Sequence, residues 1–251
     1  MKARPPGFPQ FTLRRLARTT STQDVVRAAA RGGAPEGFCC VADEQTAGRG
    51  RQGRAWVAPP GSSLLTSLLV RRAPAESPGI PLAAGLAMVE AIRTAAHIET
   101  RLKWPNDVVV AGRKLAGFLA EVESRASTHD RLAVVVGFGL NLRVTDFPAG
   151  VGGVSLHELT AQLPPPDDLL AAWLDSFAQR LGVLATTGIG GIREEWRRSA
   201  AGLGEAVRAD TPGGVVSGVA EDIDSDGALL VRTSSGVTRL VAGDVHLTPR
   251  A

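Results

Sequence analysis

The sequence predicts an α/β (α+β) chain, with a larger domain over residues 1–203 and a small β-barrel-like domain over 204–251. Three observations predict it. The length is 251 residues with 44% hydrophobic and 21% charged residues, ordinary globular values for one large domain, or a medium domain plus a small one. Strand-type and helix-type apolar runs alternate as far as residue 201. From Gly204 onward, short strand-type runs are separated by Gly- and Asp-bearing turns (TPGG, DSDG, SSG), the mark of a compact β unit.

The elements follow in order. Residues 11–18 (FTLRRLAR) read as a strand. Thr20-Ser-Thr-Gln23 has the S/T-x-x-Q form of a capping box. Asp24 favours the first turn of the helix it opens, and Gly32-Gly33 stop that helix. Residues 37–43 (GFCCVAD) are a buried strand, 44–61 a polar Gly-rich loop and 62–72 the next strand. Pro78 to Ala96 is a long apolar helix. Four β-type runs follow (RLKW, DVVVAG, KLAGFLAEVES, RLAVVVGFGLNLRV), with Ala111-Gly112 turning a hairpin between two of them. Helices return at about 167–186 and 189–201.

Composition excludes several classes. No apolar run reaches the ~18 residues that cross a bilayer. Met1 to Pro9 hold three prolines and no apolar core of a secretory signal. Cys39 and Cys40 are neighbours, so on a strand they face opposite ways. They read as buried thiols in a reducing cytoplasm rather than a bridge. The net charge of +3 steers anions weakly and argues poorly for nucleic acid.

The rare residues are more informative. Among 28 basic residues only three are lysines, Lys2, Lys103 and Lys114, and the asparagines are Asn106 and Asn141. Where arginine is the default, a lysine marks a place that needs a compact, flexible ammonium.

Three constellations are able to carry chemistry. GRGRQGRAW (Gly48 to Trp56) combines three glycines with Arg49, Arg51 and Arg54 and contains no acid. Glycines let backbone N–H groups approach an anion, arginines fork onto phosphate, and Trp56 is able to cover a flat ligand. The alternative is an exposed basic turn that binds RNA as RGG-like segments do. KWPNDVVVAGRKLAGFLAE (Lys103 to Glu121) sets Asn106 and Asp107 in a Pro-stiffened turn, with Lys114 and Gly117 on the strand beyond it. Asp107 is a candidate Mg²⁺ ligand, against the plain alternative of a turn. GFGLN (Gly137 to Asn141) ends an apolar strand with small residues and a polar contact. His97, His129, His157 and His246 are scattered, without zinc spacing.

The ordered series STQ, EQTAGRGRQGRAW, KWPND, RKLAGFLAE and VGFGLN, from about Thr19 to Leu142, resembles the biotin–protein ligases (biotin–[acetyl-CoA-carboxylase] ligases). DIDSDGALLV and AGDVHL resemble that family's C-terminal domain. The resemblance implies a mixed-sheet catalytic domain of the biotin/lipoate ligase type with an SH3-like C-terminal β-barrel. It implies that ATP and biotin form biotinyl-5′-AMP. The biotinyl group then passes to a lysine of a biotin carboxyl carrier protein domain of a biotin-dependent carboxylase. Matching the family's motifs places Ser21, Thr22, Gln23, Gln45, Arg49, Gly50, Arg51, Lys114 and Gly117 at biotin. Arg51, Arg54, Trp56, Lys103, Asn106 and Asn141 then fall at ATP, and Asp107 at Mg²⁺. Lys114, Arg51 and Arg49 would be catalytic. Arg250 is a candidate for the basic residue that some members place near ATP. Phe118 stands where Ile or Val is usual.

About 20 residues precede Ser21, roughly a third of a helix-turn-helix domain's length. The expectation is a monofunctional cytoplasmic enzyme, monomer or homodimer, with neither DNA nor membrane as partner. A lipoate ligase or lipoyl transferase of the same fold is the nearest alternative, and a basic RNA-binding module the alternative from another class.

Overall fold

The computed structural model describes residues 10–148 and 150–247. The chain runs β1 (Thr12–Thr19), α1 (Thr22–Arg31), β2 (Phe38–Gln45), β3 (Ser63–Arg72), α2 (Ile80–Ala96), β4 (Arg101–Lys103), β5 (Asp107–Val110), β6 (Arg113–Val122), β7 (Leu132–Asn141), α3 (Leu156–Leu159), α4 (Pro166–Thr187) and α5 (Gly190–Ser199). It then forms β8 (Ala206–Thr211), β9 (Gly214–Ile223), β10 (Leu229–Thr233), β11 (Gly236–Leu240) and β12 (Asp244–Leu247).

The first seven strands make one sheet in the order β1-β2-β3-β7-β6-β5-β4. It is mixed: β1 and β2 are parallel, and the other neighbours are antiparallel. Alternation along β7 sorts the two faces. Val134, Val136, Phe138 and Leu140 join the large core under α2 and α4. There Phe138, Trp173 and Phe177 stack with ring centroids 4.6 and 4.9 Å apart, and Trp173 Nε1 donates to Ala84 O at 3.1 Å. Each such aromatic pair adds about 0.5–1.5 kcal/mol beyond burial. On the opposite face Val135 packs with Cys40, Leu69 and the α1 residues Val26 and Ala30. Farther along that face β7 carries Gly137, Gly139 and Asn141; Gln23 of α1 fills the space over Gly137, and Trp56 that over Gly139. The absence of bulk at the two glycines is what opens the sheet surface there. Ala111 (φ 48°) and Gly112 (φ 77°) turn the β5–β6 hairpin in the left-handed conformation, which suits the sheet's twist.

Three expectations are corrected. The capping box does not form: Ser21, not Thr20, is the N-cap, and its side chain makes no capping hydrogen bond. Gln23 instead reaches across the sheet, donating from Nε2 to Glu121 Oε2 at 3.0 Å. The second correction concerns length. The Pro74–Ala96 helix, 23 residues, is long and apolar enough to cross a membrane. However, 67% of its most apolar window is buried inside the protein, the environment of a core helix.

The third correction is the C-terminal barrel. The tail is an open antiparallel sheet, β11-β10-β9-β8-β12, and its end strands do not pair with each other. A barrel needs its edges joined in a staggered register. Here β12 is four residues long and pairs with β8 alone, while the start of β12 is engaged by the Gly48–Trp56 loop. Arg51 Nη1 donates to Gly243 O at 3.3 Å, and Arg54 pairs with Asp244. Elsewhere the tail is anchored by Trp104 Nε1 donating to Gly227 O at 3.0 Å. Arg193 and Arg197 of α5 add a clamp, 2.6 and 2.9 Å from Asp222 Oδ2.

Candidate active site

Cross-strand register builds the floor of the site. Lys103 pairs with Asp107, Asp107 with Gly117, Gly117 with Gly139, and Gly139 with Leu65, so these five residues form one rung across the sheet. The two central glycines make a trough that other side chains enter. A Cβ at Gly139 would lie 2.3 Å from Trp56 Cε2, and one at Gly117 would lie 2.9 Å from Lys114 Nζ. Above this floor is a cavity of about 350 Å³, within the size range of small-molecule sites. Every residue of the sequence-predicted site lines it: the α1 entry, the arginine loop, the KWPND turn, Lys114, Gly117 and Asn141. Arg250 lies outside the described residues.

The α1 entry forms one wall. Gln45 Oε1 accepts from Thr22 N at 2.7 Å and from Thr22 Oγ1 at 3.0 Å, and Thr22 Oγ1 is 2.8 Å from Ser67 Oγ. Gln45 is thereby oriented by its neighbours. Ser21 is 1% exposed, yet its hydroxyl has no protein partner. A buried hydroxyl in that state costs about 1–3 kcal/mol until a ligand pairs it.

The arginine loop forms the second wall. An Arg49–Ala55 β-bridge closes it, and Gly50 N donates to Arg54 O at 2.7 Å. Arg49 forks onto Asp24, 2.6 and 3.0 Å away, so the helix N-terminus holds the loop. Arg51 donates to Asn106 Oδ1 at 3.3 Å. Burial pushes the Arg51 guanidinium below its ordinary pKa, against the opposing charges of Asp244 and Asp107. Trp56 lies over the glycine trough, with its Nε1 buried and unpartnered.

The third wall is the KWPND turn and β6. Lys114 Nζ is 2.7 Å from Asp107 Oδ1, Lys103 Nζ is 3.7 Å from Asp107 Oδ2, and Lys114 Nζ is 5.6 Å from the centre of the Trp56 ring. Asn106 Nδ2 donates to Phe118 O at 2.6 Å. Asn141 Nδ2 donates to the carbonyls of Lys114 and Val154 at 3.3 and 3.2 Å, which places its amide behind the lysine as a brace. Five cationic side chains, Arg49, Arg51, Arg54, Lys103 and Lys114, line the cavity against two carboxylates, Asp107 and Asp244. An apolar trough under a cationic rim suits an amphiphilic acid and a phosphate-bearing partner.

The sequence reading missed Asp24, Ser67, Asp244 and His246. Ser67 had a signal, a hydroxyl inside the Leu-rich run SLLTSLLV. Asp244 had none, because its partner Arg54 is 190 residues away in the chain.

Comparison with known proteins agrees with this geometry. The model of the biotin/lipoate A/B protein ligase family matches residues 16–141, and that of the biotin protein ligase C-terminal domain matches residues 202–247. The biotin–[acetyl-CoA-carboxylase] ligase of Paracoccus denitrificans is 36% identical over 238 residues, covering 92% of this chain and 98% of the relative. That of Mycobacterium tuberculosis is 34% identical over 241 residues, covering 92% and 88%. The biotin protein ligase of Aquifex aeolicus, solved in complex with biotin and ATP, superposes with a TM-score of 0.80 at 27% identity, covering 95% of this chain and 99% of that one. The chain belongs to the biotin/lipoate A/B protein ligase family, and within it to the biotin–protein ligases.

Proposed function

We propose that this ligase joins biotin to ATP as biotinyl-5′-AMP and transfers the biotinyl group to one lysine of a biotin carboxyl carrier domain. The observation that carries the reading is the meeting of Lys114 and the loop arginines in one cavity, over the Gly117–Gly139 trough. In the first step the biotin carboxylate attacks the α-phosphorus and pyrophosphate leaves. Two anions must approach each other, and negative charge then builds on the phosphoryl oxygens. Preorganised cations meet both needs.

In this reading the trough takes the fused rings and the apolar tail of biotin. Ser21, Thr22, Gln45 and the backbone at Gly117 meet its urea, and Gln23 lies behind them, its amide turned to β6. Lys114 follows the carboxylate as it becomes an ester. Arg49, Gly50 and Arg51 bridge the acyl and phosphoryl oxygens. Arg51, Arg54, Lys103 and Asn106 face the nucleotide, and Trp56 covers it. The loop then serves as a lid that keeps water from a hydrolysable mixed anhydride. Asn141 acts through Lys114 rather than on ATP. The sheet β8–β12 contributes to the cavity through Asp244.

Asp107 is the carboxylate of the KWPND turn that would meet an ATP-borne Mg²⁺, an ion held by one or two carboxylates together with phosphates. No group of three or more His, Cys, Asp or Glu side chains converges among the described residues. Both Asp107 oxygens face ammonium groups. Asp107 also positions Lys114.

The test is to incubate the protein with ATP, Mg²⁺, a carrier domain and either biotin or lipoate, and to weigh the carrier. Addition of biotin is the expected result. Addition of lipoate alone, or of neither, overturns the reading.

A further inference from the structure

We propose that His246 accepts the proton lost by the incoming lysine when it attacks biotinyl-5′-AMP. The inference rests on the ligase reading above and adds the base for its second step.

A carrier lysine reaches the cavity from solvent as an ammonium. It must lose a proton to become a nucleophile, so its base belongs at the mouth. The titratable groups lining the cavity are Arg49, Arg51, Arg54, Lys103, Lys114, Asp107, Asp244 and His246. Guanidinium and ammonium groups are donors without an acceptor lone pair. Asp107 is held between two ammonium groups, and Asp244 is paired with Arg54. Among the described residues that line the cavity, His246 carries the side-chain type most often used as a general base.

Its setting fits that task. Along β12, Val245 turns inward and is 4% exposed, so Asp244 and His246 share the outer face. Across the strand pair His246 stands opposite Arg208, and Asp244 opposite Asp210. His246 Nε2 is 3.0 Å from Asp210 Oδ2, and Arg208 Nη2 is 2.7 Å from Asp210 Oδ1. In the tautomer that donates from Nε2 to Asp210, the Nδ1 lone pair is the acceptor. The charged groups facing it are thus Asp210 and Arg208 from β8, Asp244 from its own strand, and Arg54 from the loop.

In the step itself, the lysine nitrogen bonds to the acyl carbon. The bond from that carbon to the phosphate oxygen breaks, and AMP leaves with the electron pair. One ammonium proton passes to Nδ1 before the attack and on to water, and the second proton, lost as the nitrogen becomes an amide, leaves by the same route.

The test isolates the enzyme–adenylate complex and follows single-turnover transfer to a carrier domain across pH, for wild type, His246→Gln and Asp210→Asn, with biotin-dependent pyrophosphate exchange measured alongside. Transfer by His246→Gln is expected to fall at least tenfold more than its pyrophosphate exchange. Added imidazole is expected to restore part of the rate in His246→Ala, and Asp210→Asn to show a smaller loss. A transfer rate and pH profile equal to wild type would overturn the proposal. So would equal losses in both steps, which would assign His246 a structural role. Absence of any biotin-dependent exchange in the wild type would instead overturn the ligase reading on which the proposal stands.

Discussion

Asp107 Oδ1 lies 2.7 Å from Lys114 Nζ, across the β5–β6 hairpin, and holds the ammonium beside the glycine trough. Lys114→Ala removes a charge-assisted hydrogen bond from the first step. At about 1.5–3 kcal/mol, that slows biotin-dependent pyrophosphate exchange by roughly 10–150-fold. Asp107→Asn leaves the charge but loosens its position, so a smaller loss in the same assay is expected.

Arg51 ties the loop to both Asn106 and Gly243. Arg51→Ala breaks both ties and removes a phosphate donor. Biotinyl-5′-AMP is expected to leave the enzyme about tenfold faster or more, for the loss of one charged hydrogen bond. Filter retention of the labelled adenylate measures it.

Trp56 is seated where a Cβ at Gly139 would intrude to 2.3 Å of its ring. Gly139→Ala therefore unseats the indole and obstructs the trough, and weaker biotin binding by calorimetry is expected. Trp104, Trp173 and Trp196 are buried. Trp104 lines the cavity together with Trp56, so the ligand-induced change in tryptophan fluorescence is expected to fall in Trp56→Phe, leaving the part that comes from Trp104.

Asp222 clamps the C-terminal sheet to α5. Burial alone would push its carboxyl up in pKa. The Arg193 hydrogen bond, the Ile223 N–H and the charges of Arg193 and Arg197 outweigh burial and hold it below its ordinary value. A lowered carboxyl stabilises the fold above its unfolded pKa, and that contribution is lost as pH falls through the folded value. Asp222→Asn is expected to cost about 1 kcal/mol at neutral pH, because the half-exposed arginines are screened. Denaturant titrations should show the gap begin to close at about pH 4.

Burial pushes the Cys39 thiol up to about 12 and the Cys40 thiol to about 11. Both are expected to resist thiol reagents at pH 8 in the native protein and to react on unfolding. A raised thiol stabilises the fold fully below the unfolded value. That contribution declines as pH climbs above about 9 and through the folded values, so alkaline midpoints are expected to rise in Cys39→Ala.

Much of the catalytic sheet was legible because its strands are short, apolar and bounded by Gly, Pro or charged turns. The Ala111-Gly112 hairpin was read from two residues. The Thr20–Gln23 capping box was misread because local spacing does not show that Gln23 has a stronger partner across the sheet in Glu121. The barrel was misread for a related reason: turn spacing gives the number of strands, but edge closure depends on what competes for the edge. Asn141 lines the cavity, and its amide also holds the Lys114 and Val154 carbonyls, contacts that motif order does not show.

By itself, the sequence determined which residues have the chemistry: a loop of arginines and glycines, a rare lysine pair, a hydroxyl-rich helix start, and strands apolar enough to bury. Tertiary structure decided which of them meet. Asp24 to Arg49, Arg54 to Asp244 and His246 to Asp210 are contacts between segments 25, 190 and 36 residues apart. Such contacts arise when buried strands fix the cross-strand register, and no local pattern encodes them.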